Sequence, residues 1–306
     1  MATLVEPFTT TTPETSWTLP PQKSLFVRWA RPWLQNPVGL MGLMIVALFF
    51  FLGLFGPYLT PYDPSDPSVA RRFLGPSLEH PFGTNGLGQD MFSRILQGAR
   101  LSFRFGALVF ILGFIPGTLL GILSGYAGRW IDYAIQRSAE AWTAFPQLPI
   151  LLTVRAAVGP GMTAVVIIVA IGALFGGSRL MRALALIEKH KDYVLAARSL
   201  GASETHVLIR HVIPNIMPYI LLGASSVFAI AILAEAVLSF LGIGAETGTP
   251  GWGIDLSRGL SEGTDYPHLI IWPGVVISVV ILGFNLMGDT LRDILDPRLR
   301  GSQQRR

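Results

Sequence analysis

The 306-residue chain contains no cysteine, which excludes disulfides and thiolate metal sites and leaves the redox compartment unreadable. Charge is scarce as well: Asp, Glu, Lys and Arg supply 14% of residues, against about a quarter in soluble domains. A chain this poor in charge cannot solvate a large water-facing surface. The five histidines (His80, His190, His206, His211 and His268) form neither an HxxxH nor an HExxH spacing, so no metal site and no cofactor is expected. A GxxxxGK[ST] phosphate loop is missing, which excludes ATP hydrolysis by that route, and neither a GxSxG elbow nor a kinase motif set occurs. The chain is therefore not expected to be an enzyme by itself. No repeat with a period of about 20–50 residues is visible, which argues against a solenoid or an internally duplicated transporter.

What the sequence does have is apolar length. Hydrophobic residues make up 51% of the chain, and the mean hydropathy is +0.51. A membrane-spanning helix needs roughly 20 mostly apolar residues to cross about 30 Å of hydrocarbon. Such stretches lie near 38–56, 101–125, 138–158, 161–181, 216–243 and 269–289. The expected fold is thus an all-α, polytopic bundle of about six transmembrane helices. The third stretch is the most polar, with Glu140, Pro146, Gln147, Pro149 and Arg155, and it requires protein or water around it. The run from Val38 to Phe55 is long enough to span, so it reads as a retained anchor rather than a cleaved signal.

The net charge of +4 does not point to nucleic acid, because the basic residues sit at the ends of apolar segments. Sixteen of the 23 Lys and Arg fall in 1–37, 126–137, 179–215 and 290–306. By the positive-inside rule these segments are cytoplasmic, so both termini lie inside and the number of spans is even.

The most informative polar segment is KHKDYVLAARSLGASETHVLIRHVIPNIMPYI, residues 189–220. Asp192 to Leu200 reads as a short helix, ended by a left-handed turn at Gly201. Ser203 caps a second helix with Glu204 in its first turn, and Pro214 is expected to stop it. Two short helices joined at a glycine, with small Ala196 and Ala197 exposed, form a plug for another protein's groove or an interfacial helix on lipid.

Ala196-Ala197-xxx-Gly201, followed by twelve residues to Pro214, resembles the cytoplasmic loop motif of the membrane subunits of bacterial ABC importers. HPFGTNGLGQDMFSRILQGARLSF (80–103), AEAVLSFLGIGAETGTPGWG (234–253) and FNLMGDTLRDILDPRLR (284–300) narrow the resemblance to the second permease subunit of the dipeptide, oligopeptide and nickel group. It implies a type I importer permease fold in the bacterial cytoplasmic membrane. It also implies a coupling loop, carried by Leu195, Ala196, Ala197, Leu200, Gly201 and Pro214, that docks on the ATP-hydrolysing subunit. The implied partners are a second homologous permease, two ATP-binding subunits on the 189–215 loop, an extracytoplasmic substrate-binding protein and membrane lipid, with no nucleic acid. The organisation becomes a cytoplasmic tail (1–37), a first span with an external loop (38–100), a permease core (101–291) and a cytoplasmic C-terminal tail (292–306). Three positions depart from the family pattern: Leu195 stands for a glutamate, Asn85 for an aspartate and Gln89 for an arginine. The implied cargo is peptide, with nickel or another small solute as the alternative. A secondary transporter and a membrane receptor are the rivals outside the family.

Single residues sharpen this picture. Glu235, inside span five, is either a pathway group meeting a substrate amino terminus or a structural hydrogen-bonding group. Arg155 and Glu235 are expected to approach each other or to share a cavity. Arg179 and Arg182 read as snorkelling cations, and Trp130, Trp142, Trp252 and Trp272 as interface anchors. Pro250-Gly251-Trp252-Gly253 reads as an external turn or short re-entrant segment.

Overall fold

A computed structural model describes Trp33 and residues 36–295, apart from Pro160, Thr247 and Thr264. The two expected tails, 1–37 and 292–306, lie almost wholly outside the described residues. Within the described residues all regular structure is helical, and the only pairing of strand type is an isolated bridge between Thr84 and Asp90.

The first span is α1 (Pro37–Phe55), which Asn36 starts by accepting from the Gly39 N–H. The second is a single long rod made of α2 (Met91–Val109), a π turn (Phe110–Phe114) and α3 (Ile115–Ala127). Next come α4 (Arg129–Thr143), α5 (Gln147–Val158) and α6 (Met162–Lys189). The polar loop holds α7 (Asp192–Ser199) and α8 (Glu204–Val207), and a second π turn (Leu208–Val212) leads into α9 (Ile213–Phe240). A short α10 (Trp252–Ser261) precedes α11 (His268–Leu295).

Five of these stretches are long and apolar enough to cross a membrane: Pro37–Tyr58, Met91–Ala127, Met162–Lys189, Glu204–Phe240 and His268–Ile294. The second begins ten residues, nearly three turns, earlier than hydropathy suggests. Arg94, which interrupts the apolar run, is itself fully buried by partners on the outer loops. The expected third span is not one helix. It breaks after Thr143, because Pro146 has no N–H to donate and disfavours helical backbone at the residue before it.

Packing direction shows what this broken segment does. A Cβ on Gly113, Gly117 or Gly121 would lie 2.4 Å from the carbonyl oxygen of Ala170, Leu174 or Ser178, and one on Gly125 would lie 2.5 Å from that of Arg182. Both series climb four residues at a time, so α3 and α6 run parallel with backbones in near contact, as small-residue interfaces in membranes allow. Two parallel neighbours in sequence require a return crossing between them. Residues 128–161, bent at 144–146, carry the chain back between them.

The remaining neighbours pack antiparallel. Gly39 and Gly42 of α1 abut Thr290 and Leu286 of α11, and Ser102 and Gly106 of α2 meet Glu235 and Phe228 of α9. The start of α1, the end of α11, the ends of α3 and α6, and the 189–207 loop therefore share one face of the bundle. Phe49, Ile95, Ala99, Ile232, Trp252 and Phe284 form the core where α1, α2, α9, α10 and α11 converge.

Both long rods carry the same irregularity. Each π turn is followed by Ile-Pro, Ile115-Pro116 in one and Ile213-Pro214 in the other. The wider i→i+5 turn displaces the carbonyls that a proline ring would strike, so the helix continues. Pro214 therefore does not stop the second loop helix as expected; helix runs on through it to Phe240.

Gly121→Leu should lower the thermal unfolding midpoint of the detergent-purified protein, since overpacking costs about 1–3 kcal/mol. Gly176→Ala, where an added Cβ meets nothing within 4 Å, should leave the midpoint unchanged.

Candidate functional site

The 189–215 loop is built as a rigid knuckle. Val194 of α7 and Val207 and Val212 beyond it are fully buried against Tyr126 of α3, with Ala197, Ala202 and Leu208 packed around them. Gly201, at φ +84°, lets the chain reverse: its N–H donates to Arg198 O at 2.9 Å and that of Ala202 to Ala197 O at 3.1 Å. This double bond pattern is the glycine stop expected from sequence. Ser203 then caps α8 by accepting from the His206 N–H at 3.3 Å.

With Val194 inward, the opposite surface of the knuckle presents Leu195, Ala196 and Leu200, the last 89% exposed. Ala197 is half-buried in the knuckle's own core rather than fully exposed as expected, because it lies three residues after Val194 on the same helical face. Exposed Leu195 makes an apolar outer face where the family pattern has a glutamate. The loop's internal polar contacts come from elsewhere. Arg198 pairs with Glu204 at 2.9 Å, Tyr126 donates to the Glu204 carboxylate, and Lys191 pairs with Glu188 at 2.7 Å. The Tyr193 hydroxyl donates to Glu188, and burial followed by that carboxylate raises the Tyr193 phenol above its ordinary pKa, so it remains a donor at neutral pH. Sequence reasoning placed Glu204 but missed Tyr126 and Glu188, which carry no local motif.

The same face is braced beside the loop. Arg182 makes a two-pronged ion pair with Asp132 of α4, and Arg179 donates to Thr143 Oγ1 at 2.9 Å. These two cations tie α6 to α4 instead of snorkelling freely, since carboxylate and hydroxyl partners lie within reach.

On the opposite face, residues 59–90 fold over the ends of α2 and α11. Fully buried Arg94 pairs with Asp255 of α10 (Nη2–Oδ1 2.7 Å) and donates to Pro64 O, Gln89 Oε1 and Thr249 O. One guanidinium thus joins four segments. The two departures from the family pattern meet here as well: Asn85 Nδ2 donates to Gln89 Oε1 at 3.0 Å. Pro250–Gly253 leads into α10, which packs inside the bundle. Trp252 is 1% exposed and donates to Ile95 O at 2.9 Å, while Trp272 stacks on Phe82 at 3.9 Å. Trp252 and Trp272 are therefore packing residues rather than interface anchors, since the polar edge of Trp252 finds a backbone partner inside. Trp130 is 81% exposed.

Glu235 is wholly buried, and its two oxygens accept from Ser102 at 2.7 Å and Ser239 at 2.8 Å. It clips α9 to α2. Arg155 does not pair with it: its guanidinium lies near Gly242, about two turns further along, where an added Cβ would be 4.0 Å from Nη1. Two hydroxyls engage the carboxylate without the desolvation cost of burying a second ion.

A cleft of about 740 Å³ opens between α5, α6 and α9, beside the break at 144–146. Its walls include Leu148, Val169, Gly172, Gly223 and Ile230, and Gln147, Tyr219 and Ser226 supply its polar side chains. Neither Glu235 nor Arg155 lines it.

Long apolar helices, a return crossing and a polar knuckle held rigidly at one face define a multi-pass membrane protein of the inner membrane. The chain belongs to the family of binding-protein-dependent transport system inner membrane components, which matches residues 117–301. The N-terminal transmembrane domain of oligopeptide transport permease C matches residues 24–76. Among curated relatives, a dipeptide transport system permease protein of Alkalihalophilus pseudofirmus is 36% identical over 266 residues, 87% of this chain and 88% of the relative. A putative peptide transport system permease protein of Brucella abortus is 37% identical over 287 residues, 94% and 97% of the two chains. A glutathione transport system permease protein of Pectobacterium atrosepticum is 37% identical over 281 residues, 92% of each.

Arg94→Met should cost about 3–5 kcal/mol by leaving Asp255 buried and unpaired. Adding Asp255→Leu should restore much of the loss, as read from thermal unfolding midpoints in detergent.

Proposed function

We propose that this chain is one of two permease subunits forming the path of an ATP-driven importer for peptides, with ATP hydrolysis in separate subunits. The observation that carries the reading is the knuckle at 189–215. Its apolar outer face, Leu195, Ala196 and Leu200, stands exposed while its inner face is locked to the bundle through Val194 and Tyr126. An exposed apolar surface on a rigid mount suits docking into a partner's groove, and the transport roles of the relatives give that partner its class. Sidedness rests on charge: the knuckle's face carries the basic excess, so it is cytoplasmic, and the described ends of the chain lie with it.

In this reading Leu195, Ala196, Ala197, Leu200, Gly201 and Pro214 belong to the coupling element. The cleft between α5, α6 and α9 is this chain's share of the translocation path, closed on its other side by a homologous permease. A substrate-binding protein delivers cargo to the opposite, Arg94-braced face. Peptide cargo follows the dipeptide, peptide and glutathione names of the relatives. ATP binding drives transport only if the docked knuckle favours one arrangement of the spans over another.

Gly201→Pro should abolish ATP-dependent peptide uptake while leaving membrane insertion intact. Proline holds φ near −65°, opposite to the +84° of the turn. Uptake by cells lacking the native gene, set beside membrane levels of the tagged chain, checks this. Normal uptake by the variant would refute the coupling role.

A further inference from the structure

Tyr126 stands at the end of α3 with every face engaged by the loop. Its hydroxyl donates to Glu204 O at 3.1 Å and to the Glu204 carboxylate, and it accepts from Arg198 Nη2 at 3.3 Å. Two cations lie over its ring, Lys189 Nζ at 5.2 Å and Arg198 Cζ at 5.7 Å, and its carbonyl accepts from Lys189. Its ring also closes the core formed by Val194, Val207 and Val212. No other residue of the second span touches the loop through so many groups.

What lies above Tyr126 gives this contact mechanical meaning. From Gly113 to Gly125 the second span packs its glycines directly on the backbone of α6, with only Cβ-level contacts from Ala173, Met181 and Ala185 beside them. Above the π turn at Phe110–Phe114 the backbones part and the rod takes on further partners: Gly98 abuts Trp252, Ser102 donates to Glu235, and Gly106 abuts Phe228, while Phe105 and Val109 still pack on Val165 and Ile168 of α6 through side chains. The irregular turn thus lies where backbone-close packing on α6 gives way to packing through side chains, the position expected of a hinge. The lower unit, α3 with α6, is gripped from below by Tyr126.

We infer that Tyr126 is the positioning residue through which the coupling loop moves α3 and α6 as one body, bending the second span at Phe110–Phe114 and reshaping the cleft that α6 lines. The inference rests on the coupling reading of the loop. It predicts that loosening Tyr126 leaves ATP hydrolysis running while the cleft stops responding to it.

The absence of cysteine gives a clean readout. Ser226, an exposed residue in the cleft, becomes a unique label site as Ser226→Cys. The chain is purified with its ATPase, permease and binding-protein partners, and the rate of maleimide labelling is measured with and without ATP and vanadate, alongside the ATPase rate. In the S226C background ATP should change the labelling rate about fivefold or more, a typical allosteric coupling. Adding Tyr126→Leu should shrink that change to less than about twofold while ATP hydrolysis persists, and Tyr126→Phe, which keeps ring and cations but loses the hydroxyl, should fall between. A full ATP response in assembled Y126L and Y126F complexes would overturn the inference. Should Y126L fail to assemble, Y126F decides alone: a reduced response supports the inference and an unchanged one overturns it. Failure of the underlying reading looks different, because the S226C chain would then retain no ATPase subunit and show no ATP response, which would overturn both.

Discussion

Hydrocarbon offers no hydrogen-bond partners, so each polar group that enters this bundle has to be matched inside the chain. The matches set the architecture. Glu235 is answered by two serines and becomes a clip between α9 and α2. Arg94 is answered by Asp255, Gln89 and two carbonyls, and the outer loops fold down to meet it. At Pro116 and Pro214 a π turn accommodates the ring, and where Pro146 and Pro149 crowd one segment the crossing breaks into α4 and α5.

The same constraint makes glycine valuable. With no hydrophobic driving force between helices in lipid, close contact is what holds them, and the second span meets α6 at four glycines spaced one turn apart, Gly113, Gly117, Gly121 and Gly125. The outcome is two packed units, one around Phe49, Trp252 and Phe284 and one around the α3–α6 pair. The second span belongs to both. The knuckle at 189–215 joins the α3–α6 unit, so a force applied there acts on a body rather than on a loose loop.

Much of this was legible in the sequence. Apolar length marks the crossings, and the basic residues give the even parity that the parallel packing of α3 on α6 agrees with. Gly201 and Ser203 announce the turn and cap that the structure contains. Other features were not legible because they depend on distant partners. Arg94 lies ahead of the apolar run expected for the second span, and its burial depends on Asp255, 161 residues away. Trp252 had the composition of an interface anchor, yet its indole meets a carbonyl of α2. Tyr126 has no local signal, since its role comes from residues more than 60 positions later. The Arg155–Glu235 pairing failed because sequence counts charges but does not see serines poised across a helix interface.

The central claim is that the knuckle is where separate ATP-hydrolysing subunits take hold. The most direct measurement is purification of the tagged chain from its native membrane in mild detergent, with mass spectrometry of what accompanies it. The account predicts two ATPase subunits and a second permease, retained by the native chain and lost when Leu195 and Leu200 are both changed to Asp. Recovery of the chain alone or as a homodimer, under conditions that keep other membrane complexes intact, would contradict it.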